Sequence, residues 1–248
     1  MKLLQLNQLS NSISDLKGSF NGLPHTEHKD GEYRLRRYSV IELRTSFWNA
    51  KEEAVIERQE HRTFEQSKDL NKHQGGMVRD FEEIEDSVLQ SKGMKEICLD
   101  FKCAFDLIDG QEIEIHQMRV ATGEDGIAKV SPEGVHRDGF KYIAMVGVGR
   151  FNVHGGELLL YNDKKATPFM NRALKDGEMV MIRDDKLWHN AAPIVADGGR
   201  NRGKETNKGH ADWFILCACV KSFTLEQMNA DLAASSRPIT NMSESEWG

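Results

Sequence analysis

The stretch His136-Arg137-Asp138-Gly139, set between the apolar segments 112–121 and 140–149, decides the reading of this chain. Side chains alternate along a strand, so positions 136 and 138 point the same way and can grip one ion together. A third ligand is offered by His189 in Lys186-Leu187-Trp188-His189-Asn190, just past the apolar run Glu178 to Arg183. Only a sheet that folds over could return it to the first pair. Two imidazoles and one carboxylate on one side of an octahedral metal leave three positions open, the arrangement used by non-haem Fe(II) oxygenases.

Working outward, Glu112 to Ala121, Phe140 to Val148, Glu157 to Tyr161, Glu178 to Ile182 and Asp212 to Lys221 read as strands, punctuated by Gly134, Gly155-Gly156, Gly177 and Gly198-Gly199. Short strands at these intervals predict a mainly β protein with flanking helices, a cupin-like jelly roll or double-stranded β-helix. The expected organisation is one domain over 1–248, with helical or irregular padding in 1–110, the core in 111–222, and a helix and tail in 223–248. Within the padding, Asp86 to Phe105 carries its apolar residues at helical spacing and predicts one buried helix. The highly charged 49–72 reads as a solvated helix or long loop. Residues 196–209 lack any large apolar side chain and read as a mobile loop, a candidate lid.

A net charge of −6 and a pI near 5.9 argue against a broad nucleic-acid or membrane-surface footprint. Arg34, Arg36 and Arg37 form a local basic spot suited to an anionic small molecule. The longest strongly apolar stretch, Trp213 to Val220, is too short to span a bilayer, and the N-terminus lacks a signal-peptide pattern, so a cytoplasmic protein is expected. Cys98, Cys103, Cys217 and Cys219 show no zinc spacing and read as buried reduced thiols, compatible with a ferrous centre. His25, His28, His61, His73 and His154 read as ordinary polar or turn residues.

Iron in this reaction class is chelated by 2-oxoglutarate, which supplies two electrons by losing carbon dioxide and whose remote carboxylate needs a cation. Arginine suits that task because its planar fork binds a carboxylate bidentately. One face of strand 112–121 reads Ile113, Ile115, Gln117, Arg119, an apolar row ending in two polar groups. Gln117 and Arg119 are therefore candidates for the cosubstrate, with Arg150 as a second cation.

The motifs Gly75-Gly76-Met77-Val78-Arg79-Asp80-Phe81, His116-Gln117-Met118-Arg119, Pro132-Glu133-Gly134-Val135-His136-Arg137-Asp138-Gly139, Arg150-Phe151-Asn152-Val153-His154-Gly155-Gly156-Glu157 and Leu187-Trp188-His189-Asn190-Ala191-Ala192-Pro193 occur in this order. Together they resemble the bacterial 2-oxoglutarate- and Fe(II)-dependent dioxygenase family that includes L-isoleucine 4-hydroxylase. The resemblance covers most of the chain except its two ends. It implies a double-stranded β-helix, Fe(II) held by His136, Asp138 and His189, 2-oxoglutarate and O2 as co-reactants, and hydroxylation of a C–H bond in a small molecule, an amino acid or close derivative. It also implies substrate contacts from Arg37, Tyr38 and Arg79. An Arg-Asp pair usually enters the last core strand of this family, where this chain has His210-Ala211-Asp212. Either Arg119, Arg150, or Arg200 or Arg202 of the preceding loop replaces the missing arginine, or the cosubstrate is bound weakly or differently. The alternatives are a dioxygenase acting on a macromolecule, or a metal-binding jelly roll that senses a ligand without turnover.

Overall fold

The computed structural model describes residues 3–48, 51–68, 73–197 and 208–219. Its strands are β1 (Leu4–Gln8), β2 (Arg34–Trp48), β3 (Lys51–Arg58), β4 (Gln111–Ala121), β5 (Ile127–Ala128), β6 (Tyr142–Phe151), β7 (Val153–Gly155), β8 (Leu158–Tyr161), β9 (Met170–Arg172), β10 (Glu178–Arg183), β11 (Trp188–Ala191), β12 (Ile194–Ala196) and β13 (His210–Ala218). Two α-helices, α1 (Asp86–Leu89) and α2 (Lys92–Phe105), precede β4. A seven-stranded antiparallel sheet in the order β1-β10-β6-β13-β4-β2-β3 packs against two small sheets, β11-β8-β9 and β5-β12-β7. This is a mainly β jelly roll.

The large sheet is covered on both faces, which explains why β6 and β13 read as continuous apolar runs rather than as alternating ones. Its outer face, including Ile113, Ile115, Val146, Val148, Phe214 and Leu216, packs in one core with α2 and the N-terminal segment. Its inner face, including Met118, Val120, Met145 and Trp213, meets Leu158, Leu160 and Ile194 of the small sheets. Helix α2 starts where the Ser91 hydroxyl accepts the Met94 N–H and ends at Asp106, whose φ of 51° stops the turn. Met94, Ile97, Cys98, Phe101 and Phe105 make its buried stripe, and the Phe105 ring stacks on Tyr142 with centroids 4.2 Å apart. Each fully buried large side chain of this kind contributes about 1.5–3 kcal/mol.

Several sequence expectations change here. Residues 1–110 are more than padding, because β1, β2 and β3 all join the large sheet. The charged segment expected as helix or loop contains β3, an edge strand whose alternating charges face solvent. The expected single helix over 86–105 is broken between Leu89 and Lys92 by the Ser91 cap. Of the four thiols, Cys98 and Cys217 are buried, whereas Cys103 and Cys219 are exposed. No helix among the described residues is long and apolar enough to cross a membrane. The expected C-terminal helix and most of the expected lid, with Arg200 and Arg202, lie outside the described residues.

Between β13 and β4, Asp212 pairs with Arg119 on the outer face, with Nε–Oδ1 at 2.7 Å and Nη2–Oδ2 at 2.8 Å. Both side chains are largely buried, so removing the carboxylate leaves a guanidinium without its counter-ion. Asp212→Asn is expected to lower unfolding free energy by about 3 kcal/mol in urea titrations. A change below about 1 kcal/mol would show that the pair is not structural.

A candidate metal centre in a cationic cavity

Residues 136 and 189 are brought together by the backbone itself. The His136 N–H donates to the His189 carbonyl at 2.9 Å and the His189 N–H donates back at 3.0 Å, an antiparallel bridge between the second turn and β11. Gly134 and Gly139, with φ of 77° and 90°, shape the turn that carries His136 and Asp138. His136 Nδ1 donates to the Gly134 carbonyl at 2.8 Å, which leaves Nε2 to face inward. That nitrogen lies 3.5 Å from Asp138 Oδ1, and His189 Nε2 lies 3.3 Å from Asp138 Oδ2. One donor atom from each residue fits within 4.8 Å of the others, so the three could hold a metal ion.

Asp184 stands behind this group. It is fully buried, its Oδ2 accepts the N–H groups of Asp138 and Gly139 at 2.9 and 3.0 Å, and its Oδ1 faces His189 Nδ1 at 3.3 Å. Burial pushes the His189 imidazole down, yet Asp138 and Asp184 together carry it up to about 10. Burial would likewise raise the Asp138 carboxyl, but the hydrogen bonds and charge of the two imidazoles hold it well below its usual range. The group is organised around positive charge, which a divalent ion would supply in place of the protons.

The triad opens into a cavity of about 940 Å³, including the open space at its mouth. Its walls combine apolar side chains such as Phe64, Leu174 and Trp213 with Arg34, Arg36 and Arg79. Arg34 forms an ion pair with Asp30, and although burial opposes ionisation, Arg34 and Gln74 keep the Asp30 carboxyl at about 2. Arg79 donates to Gln66 Oε1 at 3.0 Å while Gln66 Nε2 donates to Asp138 Oδ1 at 3.2 Å, linking a cavity cation to a metal-site carboxylate. Arg36 differs: its polar contact is Met118 Sδ at 3.2 Å, and its guanidinium lies over the Phe81 ring. Burial, with Arg34 and Arg79 nearby, lowers the Arg36 guanidinium to about 9, still charged at neutral pH. Glu133 also lines the cavity, with Oε1 3.2 Å from His136 Nε2 and Oε2 buried without a partner. His116 lies nearby, held neutral by burial and by Arg36.

Only part of the expected binding set reaches this cavity. Arg119 and Gln117 point to the outer face, the former to Asp212 and the latter to the Ser19 hydroxyl at 2.7 Å. The sequence reading took the wrong parity of β4: the row 113, 115, 117, 119 faces the helical layer, whereas His116 and Met118 face the cavity. Arg37 is turned outward, donating to the Glu83 carbonyl at 2.9 Å and pairing with Glu82. Tyr38 lies inward but behind the wall, donating to Glu114 and packing on His116. Arg79 lines the cavity. Arg150 points inward, its Nη2 donating to the Gly155 carbonyl at 2.6 Å. Arg34 and Arg36 were seen as a basic spot but not assigned to the site, although their i, i+2 spacing in a strand puts them on one face. Glu133, Gln66 and His116 carried no comparable signal.

A model of the 2OG-Fe dioxygenase family matches residues 17–217. No curated protein sequence gives a match. Among solved structures, the chain is similar to a bsmA homolog from Methylobium petroleophilum PM1, with 22% identity and a TM-score of 0.67 over 86% of this chain and 83% of the other. It is also similar to IDO from Bacillus thuringiensis, with 19% identity and a TM-score of 0.63 over 88% and 94% of the two chains. The Fe(II)/(alpha)ketoglutarate-dependent dioxygenase TqaL aligns at 13% identity and a TM-score of 0.57, over 87% and 77%. At these identities the likenesses concern the fold, and the family match carries the assignment: this chain belongs to the 2OG-Fe dioxygenase family, enzymes that use Fe(II), 2-oxoglutarate and O2.

Proposed function

We propose that this dioxygenase hydroxylates a C–H bond of a small molecule, a free α-amino acid or a close derivative, with His136, Asp138 and His189 holding the iron. The observation that carries the reading is a guanidinium and a carboxyl group on the walls of one cavity, each with hydrogen-bonding capacity left unfilled. Arg36 has no carboxylate partner among the described residues, and Glu133 Oε2 has no hydrogen-bond partner. Unpaired buried charges are costly, and a zwitterion supplies a carboxylate for the first and an ammonium for the second. The apolar walls fit a hydrophobic side chain, and Fe(II) with 2-oxoglutarate and O2 supplies the oxidising power, giving hydroxylated product, succinate and carbon dioxide.

The protein's own task is positioning. Anchoring both ends of the α-amino acid head fixes which side-chain carbon lies nearest the metal, and the apolar walls keep water from the reacting atoms. Gln66 couples the two functions by joining Arg79 to Asp138. The resemblance of the ordered motifs to amino-acid hydroxylases supports the same substrate class.

Succinate release should be stimulated by a free amino acid from a panel, and at least about 10-fold less by its N-acetyl or methyl-ester form, because each removes one charged anchor. Stimulation by a peptide or nucleic acid alone would refute the reading. Glu133→Gln should raise KM for the amino acid by about 10- to 100-fold while Fe(II) still binds, since it removes one charge-assisted contact. An unchanged KM would remove Glu133 from substrate recognition. Asp184→Asn should weaken metal affinity by about 10- to 100-fold, measured by competition with a chelating dye. Wild-type affinity in that variant would show that Asp184 does not orient the ligands.

A further inference from the structure

A dicarboxylic cosubstrate chelated at one end needs a cation at the other; three arginines line the cavity, and a fourth, Arg150, lies against Gly156 of that lining. Arg34 is committed to Asp30, and Arg79 to Gln66 and the Phe64 ring. Arg36 is matched with Glu133 in the substrate reading above. Arg150 remains, with Nη1 buried and without a hydrogen-bond partner. We propose that Arg150 holds the remote carboxylate of 2-oxoglutarate, from β6, in place of an arginine at Ala211 of the adjacent strand.

Three features of the fold support the assignment. First, a β-bulge aims the side chain. In the β6–β13 ladder Trp213 pairs with Gly147 and Asp212 with Gly149, so Val148 is the extra residue. Strict alternation would send Arg150 outward with Val146 and Val148. The bulge instead pairs it with Ala211, whose neighbours in the inner core include Val120 and Trp213. Second, Ala211 is small and fully buried, so it takes little of the space beside Arg150.

Third, Gly156 forms a bare stretch of cavity wall in front of the guanidinium. A Cβ built there would lie 2.7 Å from Ile194 Cγ2 and 3.4 Å from Arg150 Nη1, with Trp213 Cζ2 at 3.6 Å. With no side chain at 156, a ligand along this wall can come close to Nη1. The reach is also suitable. Leu160 pairs with His189 and lies four positions along the chain from Gly156, at most about 14 Å. A metal–oxygen bond, an extended five-carbon acid and a charge-assisted hydrogen bond together span about 11 Å.

The assignment rests on the metal reading, so the test separates the two. The protein is loaded anaerobically with Fe(II) and titrated with 2-oxoglutarate and, separately, with 2-oxobutyrate, which keeps the chelating end but lacks the remote carboxylate. Binding is read from the visible charge-transfer absorption of the chelated iron, without turnover. Wild type should prefer 2-oxoglutarate, and Arg150→Met should lose about 10- to 100-fold in 2-oxoglutarate affinity while binding 2-oxobutyrate as before. Adding Ala211→Arg to Arg150→Met should restore the preference from the neighbouring strand. A preference that survives Arg150→Met, or one that is lost in Arg36→Met instead, overturns the proposal. Equal weakening of both acids by Arg150→Met also overturns it, because the arginine would then be shaping the wall. Failure of wild type to bind either acid with Fe(II) would sink the metal reading itself.

Discussion

One buried carboxylate ties the site to the fold. Asp184 sits at the end of β10, where the large sheet turns toward β11, and it accepts the backbone N–H groups of both Asp138 and Gly139 while facing His189. A carboxyl group in so dry a place needs polar partners, and here Oδ2 takes them from the 138–139 backbone while Oδ1 faces His189. The mutual hydrogen bonds between His136 and His189 close the same joint from the other side. Displacing either segment would cost both the ligand geometry and the solvation of Asp184. The metal centre and the closure of the jelly roll are thus one structural problem.

Charge organises the rest of the cavity. The inner face of the large sheet delivers Arg34 and Arg36 from β2, the segment before α1 adds Arg79, and Arg150 of β6 lies against Gly156 of the cavity wall. Asp30 and Gln66 satisfy part of this charge. A cavity prepared in this way favours anionic or zwitterionic small molecules and penalises apolar ones, which would strand the guanidinium groups. The overall negative charge of −6 is no obstacle, since the relevant cations lie inside the jelly roll rather than on its surface.

The strands around the metal motif were legible because their signals are local, apolar runs bounded by glycines; the His-x-Asp pair was legible as a motif, although it lies in a turn bridged to β11 rather than in a strand whose parity sets it. The directions of the candidate arginines were not legible, for two physical reasons. In a sheet buried on both faces the apolar pattern does not say which face is inward, so β4 was read from the wrong side and Arg119 was assigned to the cavity. A bulge then inverts parity within β6, and only the register between β6 and β13 reveals that Arg150 turns inward. The long β2 was not among the expected strands because its basic-aromatic start read as a ligand-binding spot rather than as an apolar run, although Arg34 and Arg36 alternate with outward-facing neighbours as a strand requires. Glu133 and Gln66 come from irregular segments, where position along the chain predicts nothing about direction.

The account depends most on the convergence of His136, Asp138 and His189 on one iron. A crystal structure of the protein loaded anaerobically with Fe(II), with anomalous data collected at the iron edge, tests that directly. The predicted result is a single strong peak within bonding distance of His136 Nε2, His189 Nε2 and one Asp138 oxygen, with the remaining positions open to the cavity bounded by Arg36 and Gly156. A peak at another set of side chains, or iron held by fewer than these three, would contradict it.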